Sequence, residues 1–151
     1  MVRVCAFLFS FPSFSFFRPE TLRNILQEPN TLRNNMKHFP PLGETGFRKC
    51  QINAIQALDR SFAENRPKAL VQMATGAGKT FTAITTAYRL LKYGKMKRIL
   101  FLVDTKGLGK QAEREFLAYT PNDDPRSFSQ IYGVCRLKSS YIPNDIPVSY
   151  T

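Results

Sequence analysis

Residues 73–80 form a glycine-rich stretch, Met-Ala-Thr-Gly-Ala-Gly-Lys-Thr, whose residue types suit phosphate binding. Gly76 and Gly78 allow backbone angles that a side chain would forbid, so successive N–H groups can turn inward around phosphate oxygens. Lys79 supplies a cation for the β- and γ-phosphates, and the Thr80 hydroxyl is placed to ligate Mg²⁺. We therefore predict a nucleotide triphosphate site with Lys79 and Thr80 as its catalytic residues. The predicted phosphate-binding residues are Thr75, Gly76, Ala77, Gly78, Lys79 and Thr80.

The segments on either side of this stretch are of the kind that a phosphate-binding loop requires. The apolar run Ala69–Met73 is predicted to be a strand, and the amphipathic segment that begins at Phe81 is predicted to be a helix. A helix start adds unpaired N–H groups and a partial positive charge at the same point. A glycine turn that merely joins a strand to a helix is the alternative, and the intact Gly-Lys-Thr in this context favours the nucleotide site.

Two further positions carry polar groups that could serve the same site. The amide of Gln51 offers one donor and one acceptor, which is the pairing that an adenine edge needs. Thr105 and Lys106 follow an apolar strand, where the N–H groups of the next helix could hold a phosphate of a nucleic acid strand. By themselves these signals are weak, since Gln51 could lie on a solvated helix face and Thr105 could simply cap a helix.

The motifs resemble those of superfamily 2 helicases and translocases, and in particular the restriction (R) subunits of type I restriction–modification enzymes. Residues 73–80 resemble the first ATPase motif of that superfamily, although Met73 stands where the strictest form has Gly or Ala. The sequence "RKCQ" followed by Ala54-Ile55 is similar to the Arg-x-x-Gln-x-x-Ala-Ile pattern of R subunits. The run "FLVD…L…QA", which begins at Phe101, is similar to their motif Ia region.

This resemblance implies an ATP-driven DNA translocase and endonuclease subunit that restricts foreign DNA. ATP and Mg²⁺ would be the cofactors, Gln51 would read adenine, and Thr105 and Lys106 would grip the DNA backbone. The implied partners are double-stranded DNA and the methyltransferase and specificity subunits, in the cytoplasm and without a membrane. The implied fold is α/β, a partial RecA-like P-loop three-layer sandwich with a parallel sheet, preceded by an irregular N-terminal segment.

Two rival functions share these motifs. Another superfamily 2 helicase of DNA repair or remodelling would carry all of them, and a P-loop ATPase switch would need no nucleic acid. Hydrolysis also requires an acidic Mg²⁺-binding motif and usually an arginine finger, and neither is recognisable in the sequence. We therefore expect a truncated first motor domain that binds nucleotide and hydrolyses it poorly.

Composition is consistent with a nucleic-acid partner. The 151 residues suffice for one modest domain, and 22 basic residues against 11 acidic ones give a net charge of +11. A generally basic, soluble surface is the alternative explanation. Three scattered cysteines without a Cys-x-x-Cys spacing argue against a disulfide framework or a zinc site, and favour a reduced compartment.

The predicted organisation is an irregular segment over 1–46 and a RecA-like ATP-binding domain over 47–151. Within 1–46 we expect a Phe-rich run over 4–17, a short helix over 19–26 and a linker over 30–46; a signal peptide is the alternative for the Phe-rich run, but no cleavage site follows. Within 47–151 we expect helices over 48–65, from 81 to 94, and over 105–119. The expected strands are 69–73, 98–103, 128–134 and 146–151.

Overall fold

The computed structural model describes residues 19–20, 31–66, 68–136 and 148–150. The predicted Phe-rich run 4–17 and most of the predicted helix 19–26 lie outside these residues. The helices are α1 (Leu32–Met36), α2 (Lys49–Ala63), α3 (Lys79–Lys92), α4 (Lys106–Ala118) and α5 (Phe128–Ile131). The strands are β1 (Ile99–Phe101), β2 (Val134–Arg136) and β3 (Val148–Tyr150). The three helices predicted within the domain are therefore confirmed as α2, α3 and α4.

Helices α2 and α3 pack against each other and position the glycine-rich stretch. The apolar residues of α2 recur at helical spacing, and Ile55, Leu58 and Phe62 are buried. Helix α3 is buried along most of its length, including Ile84, Leu90 and other residues. Most of the apolar core therefore lies around α3.

Three buried threonines in α3 explain how so polar a helix can occupy the centre of the molecule. The hydroxyls of Thr82, Thr85 and Thr86 each donate to the carbonyl four residues earlier, at 2.9–3.0 Å. A buried hydroxyl is costly unless it is hydrogen-bonded, and these three are satisfied within the helix itself. The first turns of α3 can therefore pack closely against their neighbours.

The three strands pair in parallel, in the order β1-β3-β2. Ile99 lies opposite Val148, which in turn lies opposite Val134. β1 falls within the predicted strand 98–103, and β3 falls within the predicted strand 146–151. Each strand is only three residues long. The full three-layer sandwich therefore stays a prediction.

The predicted strand over 69–73 is wrong, because the structure has an irregular segment there. A strand is held by hydrogen bonds to a neighbouring strand, and within the described ranges the three paired strands are β1, β2 and β3. Leu70 is 86% exposed and Val71 is only partly buried against the core, so this segment lacks the full burial of a central strand. An open groove lies between the segment and α2.

The predicted strand over 128–134 is also wrong in its first half. Residues 128–131 form the helix α5, and only Val134 begins a strand. Ser127 donates its N–H to the Gln130 side chain at 2.8 Å, which is a helix-start interaction. Phe128 is fully buried, with its ring centroid 5.3 Å from that of Phe116. Capping and aromatic packing together favour a helical turn over an extended strand.

The predicted linker 30–46 contains the helix α1 and packs on the rest of the molecule. The Thr31 side chain accepts a hydrogen bond from the Asn34 N–H at 3.3 Å and so caps α1. Met36 is buried in the core. The Asn122 side chain donates to the Thr45 carbonyl at 2.7 Å. Residues 31–46 are thus attached to the domain, while the boundary between 46 and 47 stays a prediction.

Candidate nucleotide-binding site

The glycine-rich loop is a tight turn that leads directly into α3. The Ala77 N–H donates to the Ala74 carbonyl at 3.2 Å and closes the turn. Gly76 and Gly78 both have positive φ, +75° and +83°, and Gly78 caps the N-terminus of α3. Left-handed backbone is strained for a residue with a Cβ, so the two glycines are required by the shape of the loop.

The start of α3 presents unpaired donors beside the loop. Thr82 is the first residue of the helix whose N–H reaches an α-helical acceptor, the Gly78 carbonyl, at 2.9 Å. The N–H groups of the residues before it precede the helical hydrogen-bond pattern, and the helix dipole adds partial positive charge there. The first turn contains no acidic residue, and Thr80 is its second residue. This end of α3 is therefore suited to an anion.

The Lys79 side chain reaches across the loop. Its ammonium donates to the Ala74 carbonyl at 3.0 Å. A neutral carbonyl is a weaker partner for an ammonium than a phosphate oxygen, because a charge-assisted bond is roughly twice as strong. The ammonium is consequently held near the loop and can transfer to an anionic ligand.

Gln51 is buried against the loop, where both ends of its amide are engaged. Its Nε2 donates to the Ala77 carbonyl at 3.0 Å, and its Oε1 accepts from the Arg48 N–H at 2.9 Å. A primary amide retains one further N–H and one lone pair beyond these two bonds. Adenine recognition by Gln51 stays a prediction, and the contact with the loop was not expected from the sequence.

Arg48 is a residue of this site that the sequence analysis did not select. Its Nη1 donates to the Gly76 carbonyl at 2.7 Å. Arg48 and Gln51 are three residues apart at the start of α2, which puts their side chains on one side of the helix. The three-residue spacing of Arg48 and Gln51 was the sequence signal that could have indicated a shared contact of both side chains with the loop.

The two remaining predicted residues lie elsewhere, at the start of α4. The Thr105 side chain accepts from the Leu108 N–H at 3.3 Å and caps this helix, as its alternative reading proposed. Lys106 is exposed, and the first turn of α4 has no acidic residue. Gln51 is hydrogen-bonded to the loop, whereas Thr105 is hydrogen-bonded within its own helix. The DNA contact stays a prediction.

A buried ion pair ties together the two helices that build the site. Arg89 of α3 lies 2.9 Å from Asp59 of α2, and their side chains are only 5% and 16% exposed. Arg89 also donates to the Pro40 carbonyl at 2.5 Å. Burial raises the pKa of Asp59 above its ordinary value, although Arg89 acts in the opposite direction. The pair helps to fix α2 against α3, and thereby the position of Gln51 relative to Lys79.

The far end of α3 carries a second polar cluster. Lys92 lies 2.8 Å from Asp123, which also accepts from the hydroxyls of Tyr88, at 2.7 Å, and Tyr93. Asp123 lies in a turn that follows α4. Burial tends to raise the pKa of Asp123, but hydrogen bonds from these three side chains outweigh it and lower the pKa. The cluster is structural rather than part of the loop.

Comparison with known proteins gives the family. The family described as "Type III restriction enzyme, res subunit" matches residues 44–144, which include α2, the loop, α3 and α4. The chain belongs to this restriction-enzyme family. The match covers two thirds of the chain and begins close to the predicted domain start.

Individual relatives are named mainly as subunits of type I restriction enzymes. The chain is 36% identical over 129 residues to the EcoKI endonuclease subunit of Escherichia coli strain K12, which covers 85% of this chain and 11% of that protein. It is 29% identical over 97 residues to the SsaAORF53P endonuclease subunit of Staphylococcus saprophyticus, 64% of this chain and 10% of that protein. The predicted resemblance to type I R subunits is confirmed.

A relative with another name matches a similar part of the chain. UvrABC system protein B of Leptospira biflexa is 31% identical over 110 residues, 73% of this chain and 15% of that protein. The chain spans roughly a tenth of the length of the restriction-enzyme subunits. None of the solved structures matches it. In the described residues, no helix of sufficient length and apolar character to cross a membrane is found.

Proposed function

We propose that this chain is the ATP-binding portion of an ATP-dependent DNA translocase and endonuclease subunit of a type I restriction system. The single observation that carries the proposal is the loop over 73–80, with two left-handed glycines, a lysine bound to a loop carbonyl, and a helix start behind it. Membership of the restriction-enzyme family supports it. Defence against foreign DNA, in the cytoplasm, would be the biological role.

The residues of the loop fit a nucleotide with a bound Mg²⁺ ion. Gly76, Ala77 and Gly78 would surround the phosphates with backbone, and Lys79 would move from the Ala74 carbonyl to the β- and γ-phosphates. The Thr80 hydroxyl would ligate Mg²⁺, and Thr75 would line the phosphate site. When bound, ATP supplies the free energy of phosphoryl transfer, and Mg²⁺ neutralises the charge on its phosphates.

Gln51 would bind the adenine through the amide valences that remain after its two bonds in the fold. An amide with one free N–H and one free lone pair still matches the donor and acceptor on an adenine edge. Because Gln51 also contacts the Ala77 carbonyl at 3.0 Å, base and phosphate binding would be coupled through this one side chain. We expect ATP to bind more tightly than GTP.

Double-stranded DNA would contact the start of α4 through its backbone. Lys106 is exposed, Thr105 caps the helix, and the whole chain carries a net charge of +11. Contacts of this kind read phosphates and not base sequence. Methyltransferase and specificity subunits would then supply recognition of the DNA sequence. The two type I relatives are named as endonuclease subunits of type I restriction enzymes.

A DNA repair helicase is the second candidate function. The similarity to UvrABC system protein B favours it, because that relative matches 73% of the chain. The third alternative is a P-loop switch without nucleic acid, and it differs from both motor functions because its ATPase activity would not respond to DNA. ATPase activity that DNA stimulates, in a protein containing this chain, would favour the motor functions over the switch.

The proposal is tested by nucleotide binding to the 151-residue chain. We expect a fluorescent ATP analogue to bind in the presence of Mg²⁺ and to be displaced by ATP more readily than by GTP. Lys79→Ala should weaken binding by about a hundredfold, since it removes a charge-assisted contact. Lys97→Ala, which removes an exposed lysine beyond the far end of α3, is the matched control and should leave binding unchanged. Equal affinity of both variants would refute the proposal.

A further inference from the structure

Two consecutive carbonyls of the glycine-rich loop are held by side chains from the start of α2, those of its N-cap residue Arg48 and of Gln51 in its first turn. Arg48 Nη1 donates to the Gly76 carbonyl at 2.7 Å, and Gln51 Nε2 donates to the Ala77 carbonyl at 3.0 Å. Both acceptors are carbonyl oxygens, which would not bind a phosphate, since both groups carry negative charge or partial negative charge. The Gln51 amide is also held at its other end, because the backbone N–H of Arg48 donates to Gln51 Oε1 at 2.9 Å.

Holding a carbonyl also directs the N–H on the same peptide. In a trans peptide the C=O and the following N–H point in opposite directions, and the structure has no cis bonds in its described part. The Gly76 carbonyl, fixed by Arg48, therefore directs the Ala77 N–H toward the Ala74 carbonyl, which it meets at 3.2 Å. The Ala77 carbonyl, fixed by Gln51, directs the Gly78 N–H away from α2.

We propose that Arg48 and Gln51 are positioning residues that hold the loop in its phosphate-binding conformation from the carbonyl side. The inference rests on the proposed nucleotide site and adds a role for Arg48, together with a second role for Gln51. The close approach of Gln51 requires glycine at position 78, because a Cβ there would lie 2.2 Å from Gln51 Nε2. The loop thus needs glycine at 78 both for its backbone angle and for the approach of the clamping amide.

Such a role has a consequence that base recognition does not share. If Arg48 and Gln51 act on the loop, they matter for any ligand that the loop holds, including a phosphate chain without a base. Inorganic tripolyphosphate is therefore the probe that separates the two roles. Losing one charge-assisted hydrogen bond should weaken its binding by roughly tenfold.

The experiment compares tripolyphosphate and ATP on four proteins, the wild type, Arg48→Ala, Gln51→Ala and Lys49→Ala. We expect both ligands to weaken by the same factor, about tenfold, in Arg48→Ala. Gln51→Ala should weaken tripolyphosphate as well as ATP. Lys49→Ala removes an exposed neighbouring cation and should change neither. Tripolyphosphate binding that is unchanged in both Arg48→Ala and Gln51→Ala would overturn the inference.

A measurement without ligand keeps this inference separate from the proposed function. The carbonyl ¹³C resonances of Gly76 and Ala77 should shift in Arg48→Ala and Gln51→Ala respectively, because each loses a hydrogen-bond donor. Arg48→Lys, which keeps a charged donor, should restore part of the Gly76 shift. Unchanged carbonyl resonances refute the positioning role. Shifted resonances in a protein that binds neither ligand would support the clamp and refute the nucleotide site.

Discussion

Alanine at Gly78 should damage the loop far more than alanine at Gly76, although the two residues have nearly the same backbone angle. Both have positive φ, +83° and +75°. A Cβ in left-handed backbone costs about 1–2 kcal/mol, and this term applies equally to the two positions. What differs is the space around them, since a Cβ at Gly76 would meet nothing within 4 Å.

The additional cost at Gly78 comes from Gln51. A Cβ would lie 2.2 Å from its Nε2 and 3.4 Å from its Cδ, so the amide would have to leave the Ala77 carbonyl. Gln51 is only 6% exposed, and a buried amide that loses its partner costs about 1–3 kcal/mol. The total is therefore about 3 kcal/mol at Gly78 against about 1 kcal/mol at Gly76.

The assay is titration of each variant with a fluorescent ATP analogue, with the thermal midpoint recorded in parallel. Since about 1.4 kcal/mol is a factor of ten, we expect ATP affinity to fall up to about tenfold in Gly76→Ala and a hundredfold or more in Gly78→Ala. Gly107→Ala is the control, because it adds a methyl to open space in α4 and should stabilise the helix slightly. Equal losses at Gly76 and Gly78 would refute the clamping contact.

Three further predictions concern the ion pairs and the basic surface. Arg89→Met should destabilise the chain by about 3 kcal/mol in chemical denaturation, because Asp59 is left buried and unpaired; adding Asp59→Leu should recover most of the loss, and no recovery would contradict this. Asp123 has a folded pKa below its ordinary 3.8, so it contributes stability above about pH 3.8 that is lost as the pH falls through the folded pKa. The wild type should therefore exceed Asp123→Asn in thermal midpoint at pH 7 by more than at pH 3, and equal differences would be inconsistent with the Lys92 pairing. Lys106→Ala should reduce the slope of log DNA affinity against log salt by about 1, and an unchanged slope would exclude a phosphate contact at Lys106.

The residues of the loop were predictable because their geometry is local. Positive φ at Gly76 and Gly78 needs only the absence of a Cβ, and the helix start follows from the apolar periodicity of α3. The capping role of Thr105 follows in the same way from its own side chain. Each of these features depends on residues within about one helical turn of each other.

The errors lie where a segment depends on distant partners. The run 69–73 has a strand-like sequence, but a strand forms only against another strand, and the described strands pair elsewhere. The run 128–134 ends in a true strand at Val134, yet capping by Ser127 and the packing of Phe128 on Phe116 favour a helical turn over 128–131. A short apolar run is ambiguous until its surroundings are known.

By itself, the sequence determined that a glycine-rich loop precedes a helix and that its family is that of restriction-enzyme subunits. Only the tertiary structure decided which groups hold that loop, since Arg48 and Gly76 are 28 residues apart and meet only once α2 packs on α3. The same packing brings Asp59 to Arg89 and buries both. The physical reason is range: backbone angles are set by neighbouring atoms, whereas side-chain contacts between elements exist only after the chain has folded.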